Sequence, residues 1–113
     1  MHSMNDKHKT RASREKGVRT ERAVVHLLQA HGIDARRTAP LQTYAPNDEG
    51  DVEADIAGHK RRLEVKCRAS GFKQIYEWLD GNDVLILKAD RKPMLVVLTA
   101  EDALEMIRAM EKP

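Results

Sequence analysis

Apolar and polar positions alternate twice near the middle of the chain. Asp51-Val52-Glu53-Ala54-Asp55-Ile56-Ala57-Gly58 and Arg61-Arg62-Leu63-Glu64-Val65-Lys66-Cys67-Arg68 both interleave charged with apolar side chains. A period of two sends successive side chains to opposite faces, so each run predicts a strand, and the Gly58-His59-Lys60 segment between them predicts a hairpin turn. On this reading Val52, Ala54, Ile56, Leu63, Val65 and Cys67 face a core. Asp51, Glu53, Asp55, Arg62, Glu64, Lys66 and Arg68 share the other side. The turn sets the partners. With Gly58-His59 as its two central residues, Asp51 lies across from Lys66 and Glu53 across from Glu64; with His59-Lys60, every partner moves by two positions and the faces stay the same.

Elsewhere the period lengthens. Over residues 12–31, Val18, Val24, Val25, Leu27 and Leu28 follow helical spacing, with Ser13 as N-cap and Gly32 as the stop. Residues 35–38 read as a short strand, and 39–50, with Pro40, Pro46 and Asn47-Asp48, as a loop able to close over a substrate. After Ser70-Gly71 a helix carries Phe72, Ile75, Trp78 and Leu79 and ends at Asp80-Gly81-Asn82. Residues 83–89 and 93–98 are near-continuous apolar strands around an Asp90-Arg91-Lys92 turn. Thr99 with Asp102 then caps a last helix through Ala103, Leu104, Ile107 and Met110. The element order predicts an α/β fold, a mixed β-sheet flanked by helices. Strands so apolar need cover on both faces, which a second copy of the chain would supply, so a homodimer is expected.

At 113 residues and 41% hydrophobic content the chain suits one domain with one modest core. We place that domain at residues 12–113, behind a basic flexible arm at 1–11. The longest apolar runs, Val84-Leu85-Ile86-Leu87 and Met94-Leu95-Val96-Val97-Leu98, are too short to span a bilayer, and the polar N-terminus lacks a signal peptide's apolar stretch. No membrane partner is expected, and the cytoplasm is the expected location. The single cysteine, Cys67, falls on the inward side of its strand and reads as a reduced core residue.

The formal charge of +2 alone does not argue for nucleic acid, but its distribution does. Lys7, Lys9, Arg11, Arg14, Lys16, Arg19 and Arg22 outnumber Asp6, Glu15 and Glu21 near the N-terminus, and Arg36-Arg37 and Lys60-Arg61-Arg62 follow. Such clusters can track phosphates. The hairpin's polar face adds chemistry. Cross-strand neighbours stand roughly 5 Å apart and diagonal ones roughly 7–8 Å, so two carboxylates there can share a divalent cation with a lysine beside them. Glu53, Asp55, Arg62 and Arg68 taken singly read most simply as a solvated strand face. Glu21, on a charged helix, can equally pair with a neighbouring arginine. His26, His31 and His59 lack zinc-ligand spacing.

Together these residues resemble the PD-(D/E)xK nuclease superfamily, and most closely the archaeal-type Holliday junction resolvases, including phage-encoded relatives. The resemblance covers most of the chain after the arm. It rests on Lys16-Gly17-Val18-Arg19-Thr20-Glu21-Arg22 leading into Val24-Val25, on Gly32-Ile33 before Ala35-Arg36-Arg37, on Gly50-Asp51-Val52, and on Glu64-Val65-Lys66-Cys67. An acid thirteen positions before Glu64, joined to it by a hairpin, is more specific than the Glu-x-Lys triplet alone. One departure is Gly50 where the family usually has proline; glycine also permits a sharp entry into the strand. Asp55, nine positions before Glu64, is the alternate acid.

The resemblance implies a restriction-endonuclease-like core and a Mg2+-dependent endodeoxyribonuclease, with Mn2+ able to substitute. It implies that Asp51 and Glu64 ligate the metal, that the Val65 carbonyl adds a ligand, that Glu21 holds a metal-bound water or second ion, and that Lys66 orients the attacking water. Arg14, Lys16, Arg19, Arg36, Arg37, Arg62, Arg68 and Lys73 would contact DNA. The implied partner is branched DNA, a four-way junction cut by a two-fold dimer in recombination and repair. The rival expectations are a restriction-like or repair nuclease acting on other DNA, and a non-catalytic nucleic-acid-binding module. Gln74 resembles a glutamine that relatives place near the site, while the tyrosine spacing of the exonuclease branch is absent.

Overall fold

The structure, a computed structural model, describes residues 10–38 and 52–111. The expected arm up to residue 9, the loop at 39–50 and Asp51 lie outside the described residues. The chain divides into two compact units, the first ending at Cys67 and the second beginning at Arg68.

The first unit opens with helix α1, Arg11–Ala30. It starts earlier than expected, and its N-cap is Thr10 rather than Ser13. The Thr10 hydroxyl oxygen accepts from the Ser13 backbone N–H at 3.0 Å. Both residues are good caps, and the one three positions upstream satisfies an amide that a helix begun at Ser13 would not include. The expected stop at Gly32 is present. With Gly32 at φ 81, its N–H donates to Gln29 O and that of Ile33 to Leu28 O, both at 3.0 Å. These bonds close a Schellman motif, with Leu28 and Ile33 both buried beside it.

Three strands follow: β1 Ala35–Arg37, β2 Val52–Ile56 and β3 His59–Leu63, in sheet order β1-β2-β3 and antiparallel throughout. Helix α1 packs on β1 and β2. Its inner face presents Glu21, Val25 and Leu28. With Ile33, Ala35, Val52 and Ala54, the two apolar members of that face make the core. Val52 and Ala54, at 0% exposure on the central strand, are its innermost members. The alternation seen in the sequence therefore holds.

The hairpin register differs from both expected forms. The turn is Ala57-Gly58, with φ 53 and 81, and β2 pairs with β3 as Val52↔Leu63, Glu53↔Arg62, Ala54↔Arg61, Asp55↔Lys60 and Ile56↔His59. Positive φ at both central positions is what a type I′ turn requires, with glycine favoured at the second. Electrostatics favours the same choice. Glu53 meets Arg62 and Asp55 meets Lys60, whereas a Gly58-His59 turn sets Glu53 against Glu64. The displacement is an even number of residues, so no side chain changes face. In this register Leu63 already faces Val52, the first residue of β2, and β3 ends there rather than running to Arg68.

In the second unit, α2 spans Lys73–Leu79, β4 Leu85–Leu87, β5 Leu95–Val97 and α3 Ala100–Glu111. Phe72 takes the N-cap position of α2 without a side-chain bond. The helix closes through Asp80, whose N–H donates to Tyr76 O and Glu77 O, and through Gly81 at φ 78. β4 and β5 pair antiparallel as Leu85↔Val97, Ile86↔Val96 and Leu87↔Leu95. Thr99 caps α3 as expected, accepting the Asp102 N–H at 3.1 Å, and Glu101 and Asp102 favour its positive end. Of the apolar positions along α3, Leu104 is buried and Met110 exposed.

The fold is thus helices with small antiparallel sheets, an α/β arrangement at the coarse level. Every strand pairing among the described residues is antiparallel, in two separate sheets, where a single mixed sheet was expected. For β2-β3 and β4-β5 the reason is local: each pair is joined by a short connection, which reverses the chain. No helix among the described residues is long and apolar enough to cross a membrane.

Candidate functional site

Glu21 is the one buried charged side chain among the described residues. Helical spacing puts it one turn before Val25 on the face that meets the sheet. A carboxylate there needs a partner, because water no longer solvates it. Arg37 provides one: its Nε donates to Glu21 Oε1 at 2.9 Å, with side-chain exposures of 27% and 10%. The pair ties α1 to β1. Arg37, expected among the DNA contacts, is thus engaged with the acid expected near the metal.

Arg36 points the other way. Its guanidinium lies 3.3 Å from Glu53 and 3.6 Å from Asp55 through Nη2, and 3.7 Å from Asp34 through Nη1. Since Arg36 pairs with Glu53 and Glu53 with Arg62, charge alternates across all three strands on the face away from α1. One arginine among three partly solvated carboxylates relieves repulsion that their spacing would otherwise create. Sequence reading misses Asp34, although its position two residues before Arg36 on extended chain is a signal.

Glu64, Val65 and Lys66 follow β3 on chain that is not in the ladder. Exposure still alternates, Glu64 and Lys66 outward and Val65 and Cys67 half-buried, so the two charged groups share a side. Lys66 Nζ lies 3.0 Å from Glu64 Oε2, with exposures of 40% and 63%. Acid and lysine therefore occur together on one accessible segment, as the triplet implies. The other implied carboxylate, Asp51, lies outside the described residues. Among the described residues no group of three or more His, Cys, Asp or Glu side chains is placed to hold a metal ion. In ligand chemistry, hard carboxylate oxygens with a backbone carbonyl alongside suit Mg2+.

Of the remaining phosphate-contact candidates, Arg14 and Arg19 are exposed on α1 and Lys16 is half-buried there. Arg62 is exposed on β3, and Arg68 is exposed at the start of the second unit. Lys73, also exposed, sits 3.9 Å from Glu77 one turn along α2. Gln74, next to it, is exposed. His26 and His59 are exposed, as surface residues should be, and His31 lies against Leu27 O at 3.0 Å at the end of α1. No protein-family model, no curated protein and no solved structure matches the chain.

Proposed function

We propose that this chain is a Mg2+-dependent, structure-selective DNA endonuclease that hydrolyses phosphodiester bonds in four-way junctions. The observation that supports it most is Glu64 and Lys66 held 3.0 Å apart on an accessible segment directly after a hairpin with one charged face. In this reading the two sheets are parts of a restriction-endonuclease-like core, and two copies of the chain act on two equivalent strands of the junction. Asp51, Glu64 and the Val65 carbonyl would hold the ion. When bound, Mg2+ supplies a Lewis acid at the phosphoryl oxygen and an activated water. The Lys66 ammonium, a flexible point charge, would orient that water and oppose the negative charge that develops on the phosphoryl oxygens. Arg14, Lys16, Arg19, Arg62, Arg68 and Lys73 would hold backbone phosphates, and such contacts position DNA without reading sequence.

A second reading has its own observation. Glu21 is committed to Arg37, an ion pair that ties α1 to β1 and serves a nucleic-acid-binding module that does not cleave equally well. One experiment separates the two. The protein is incubated with a four-way junction, splayed-arm DNA, linear duplex and single-stranded DNA, each with Mg2+ and with EDTA. Symmetric Mg2+-dependent cuts confined to the junction are expected. Cuts in linear duplex would point to a restriction-like or repair nuclease, and binding without any cleavage would leave the non-catalytic module.

A further inference from the structure

Several cations of the chain are engaged by carboxylates: Arg11, Arg36, Arg37, Lys66 and Lys73 each stand in an ion pair. The connection from β4 to β5 is different. Within residues 88–92 it carries Lys88, Arg91 and Lys92 against Asp90 alone, and all four are exposed. Lys88 Nζ donates to Ala89 O at 2.8 Å. The same oxygen accepts the Lys92 N–H at 3.2 Å, which closes a four-residue turn. Arg91 and Lys92 make no ion pair among the described residues.

Backbone conformation singles out Arg91. Among the described residues only Arg91, at φ 61, and Ala57 combine a positive φ with a Cβ. Asp90 before it does not, so the turn follows the type II pattern, whose third position favours glycine or asparagine. A Cβ there crowds the backbone, and residues held against such a preference cluster at ligand-binding sites. An open depression of about 400 Å3 lies against the same turn, lined by Leu87, Ala89, Pro93 and Leu95 together with Lys88 and Lys92. Cations beside an apolar hollow match the chemistry of a DNA backbone, in which an apolar sugar ring joins two anionic phosphates. We propose that the β4-β5 turn is a DNA-backbone contact: Arg91 and Lys92 each hold a phosphate, and the depression receives the deoxyribose between them. Lys88, fastened to Ala89 O, braces the turn. Contacts of this kind position DNA without reading its sequence. They depend on the chain binding DNA as proposed above, with or without cleavage, and they involve the second unit alone.

The test titrates the full-length Glu64→Gln protein with a four-way junction in EDTA over a series of salt concentrations. Arg91→Asn combined with Lys92→Gln is expected to weaken binding and to flatten log affinity against log salt by nearly two units, about 0.9 for each phosphate lost. Arg108→Gln removes an exposed cation of α3 and is expected to leave the slope unchanged. Arg91→Asn alone should weaken binding and yet raise the denaturation midpoint, because asparagine tolerates the left-handed position. A residue with a purely structural role would not move the two in opposite senses. A parent protein that binds no DNA would refute the proposed function and this contact together. A parent that binds, with a double variant that keeps its slope, overturns the contact alone. So does an Arg108→Gln protein whose slope flattens as much as that of Lys92→Gln, since net charge would then account for the effect. A double variant that loses affinity for poly-glutamate and keeps its affinity for DNA would make the turn a site for an acidic protein, and overturns the contact as well.

Discussion

Glu21 carries two possible roles, and its neighbour tells them apart. A buried carboxylate bound to an arginine at 2.9 Å holds helix to sheet whether or not DNA is ever cut. Removing one member of a buried ion pair typically costs 3–5 kcal/mol; because Arg37 is partly exposed, water would recover some of that, and Glu21→Gln should cost about 2 kcal/mol. A double-mutant cycle with Arg37→Met, read by chemical denaturation, should show coupling of at least about 1 kcal/mol. Additive losses would mean the pair contributes nothing. Glu64 and Lys66 should behave in the opposite way, since both are accessible and their pairing is screened by solvent. Glu64→Gln is expected to abolish junction cleavage with DNA binding and stability nearly unchanged. Lys66→Met should slow cleavage by about 100-fold, the usual loss when one positioned donor is removed. Asp51→Asn should act as Glu64→Gln does, and Asp55→Asn much less, because Asp55 is already shared with Arg36 on the sheet face. Full activity in Asp51→Asn with loss in Asp55→Asn would reassign the metal ligand.

At the scale of elements, the hairpin shows what alternation can and cannot specify. Val52 and Ala54 were legible as core and Glu53 and Asp55 as surface, because a shift of two residues preserves face. The register itself was not legible. It turns on Ala57 accepting φ 53, which local preference resists, and on the match of Glu53 to Arg62 across the strands. Helix α1 divides similarly: Gly32 marked its end, while its start was expected at Ser13, the intrinsically better cap, and lies three residues earlier at Thr10. The Glu21–Arg37 pair left no local trace, since its members lie sixteen positions apart on different elements. The strained turn yields a direct test. A left-handed conformation costs a residue with a Cβ roughly 1–2 kcal/mol, and asparagine tolerates it far better than alanine. Ala57→Asn should therefore stabilise the protein by about 1 kcal/mol, seen as a higher denaturation midpoint with an unchanged slope. No gain would mean that the turn relaxes in solution to one of the other two registers.

For the whole molecule, the net charge of +2 understates the field a polyanion would meet. Helix α1 carries Arg11, Arg14, Lys16, Arg19 and Arg22 against two acids, and both acids are occupied, Glu15 by Arg11 at 3.2 Å and Glu21 by Arg37. Arg19 and Arg22 are exposed and three positions apart, hence about 4.5 Å apart along the helix axis. Successive phosphates of one DNA strand advance about 3.4 Å along the duplex axis, so both arginines can reach the same stretch of backbone. Each phosphate that an arginine neutralises displaces condensed counterions, and log affinity falls with log salt by about 0.9 per phosphate. Replacing Arg19 and Arg22 together by alanine should therefore weaken binding to a four-way junction and to linear duplex alike. It should also flatten the salt dependence by nearly two units of slope, about 0.9 for each phosphate left to its counterions. Titrating the Glu64→Gln protein in EDTA over a series of salt concentrations measures this without interference from cleavage. An unchanged slope would show that the phosphates run elsewhere, with Arg62, Arg68 and Lys73 the next residues to substitute. A slope that flattens only on the junction would mean that α1 meets a geometry that linear duplex does not present.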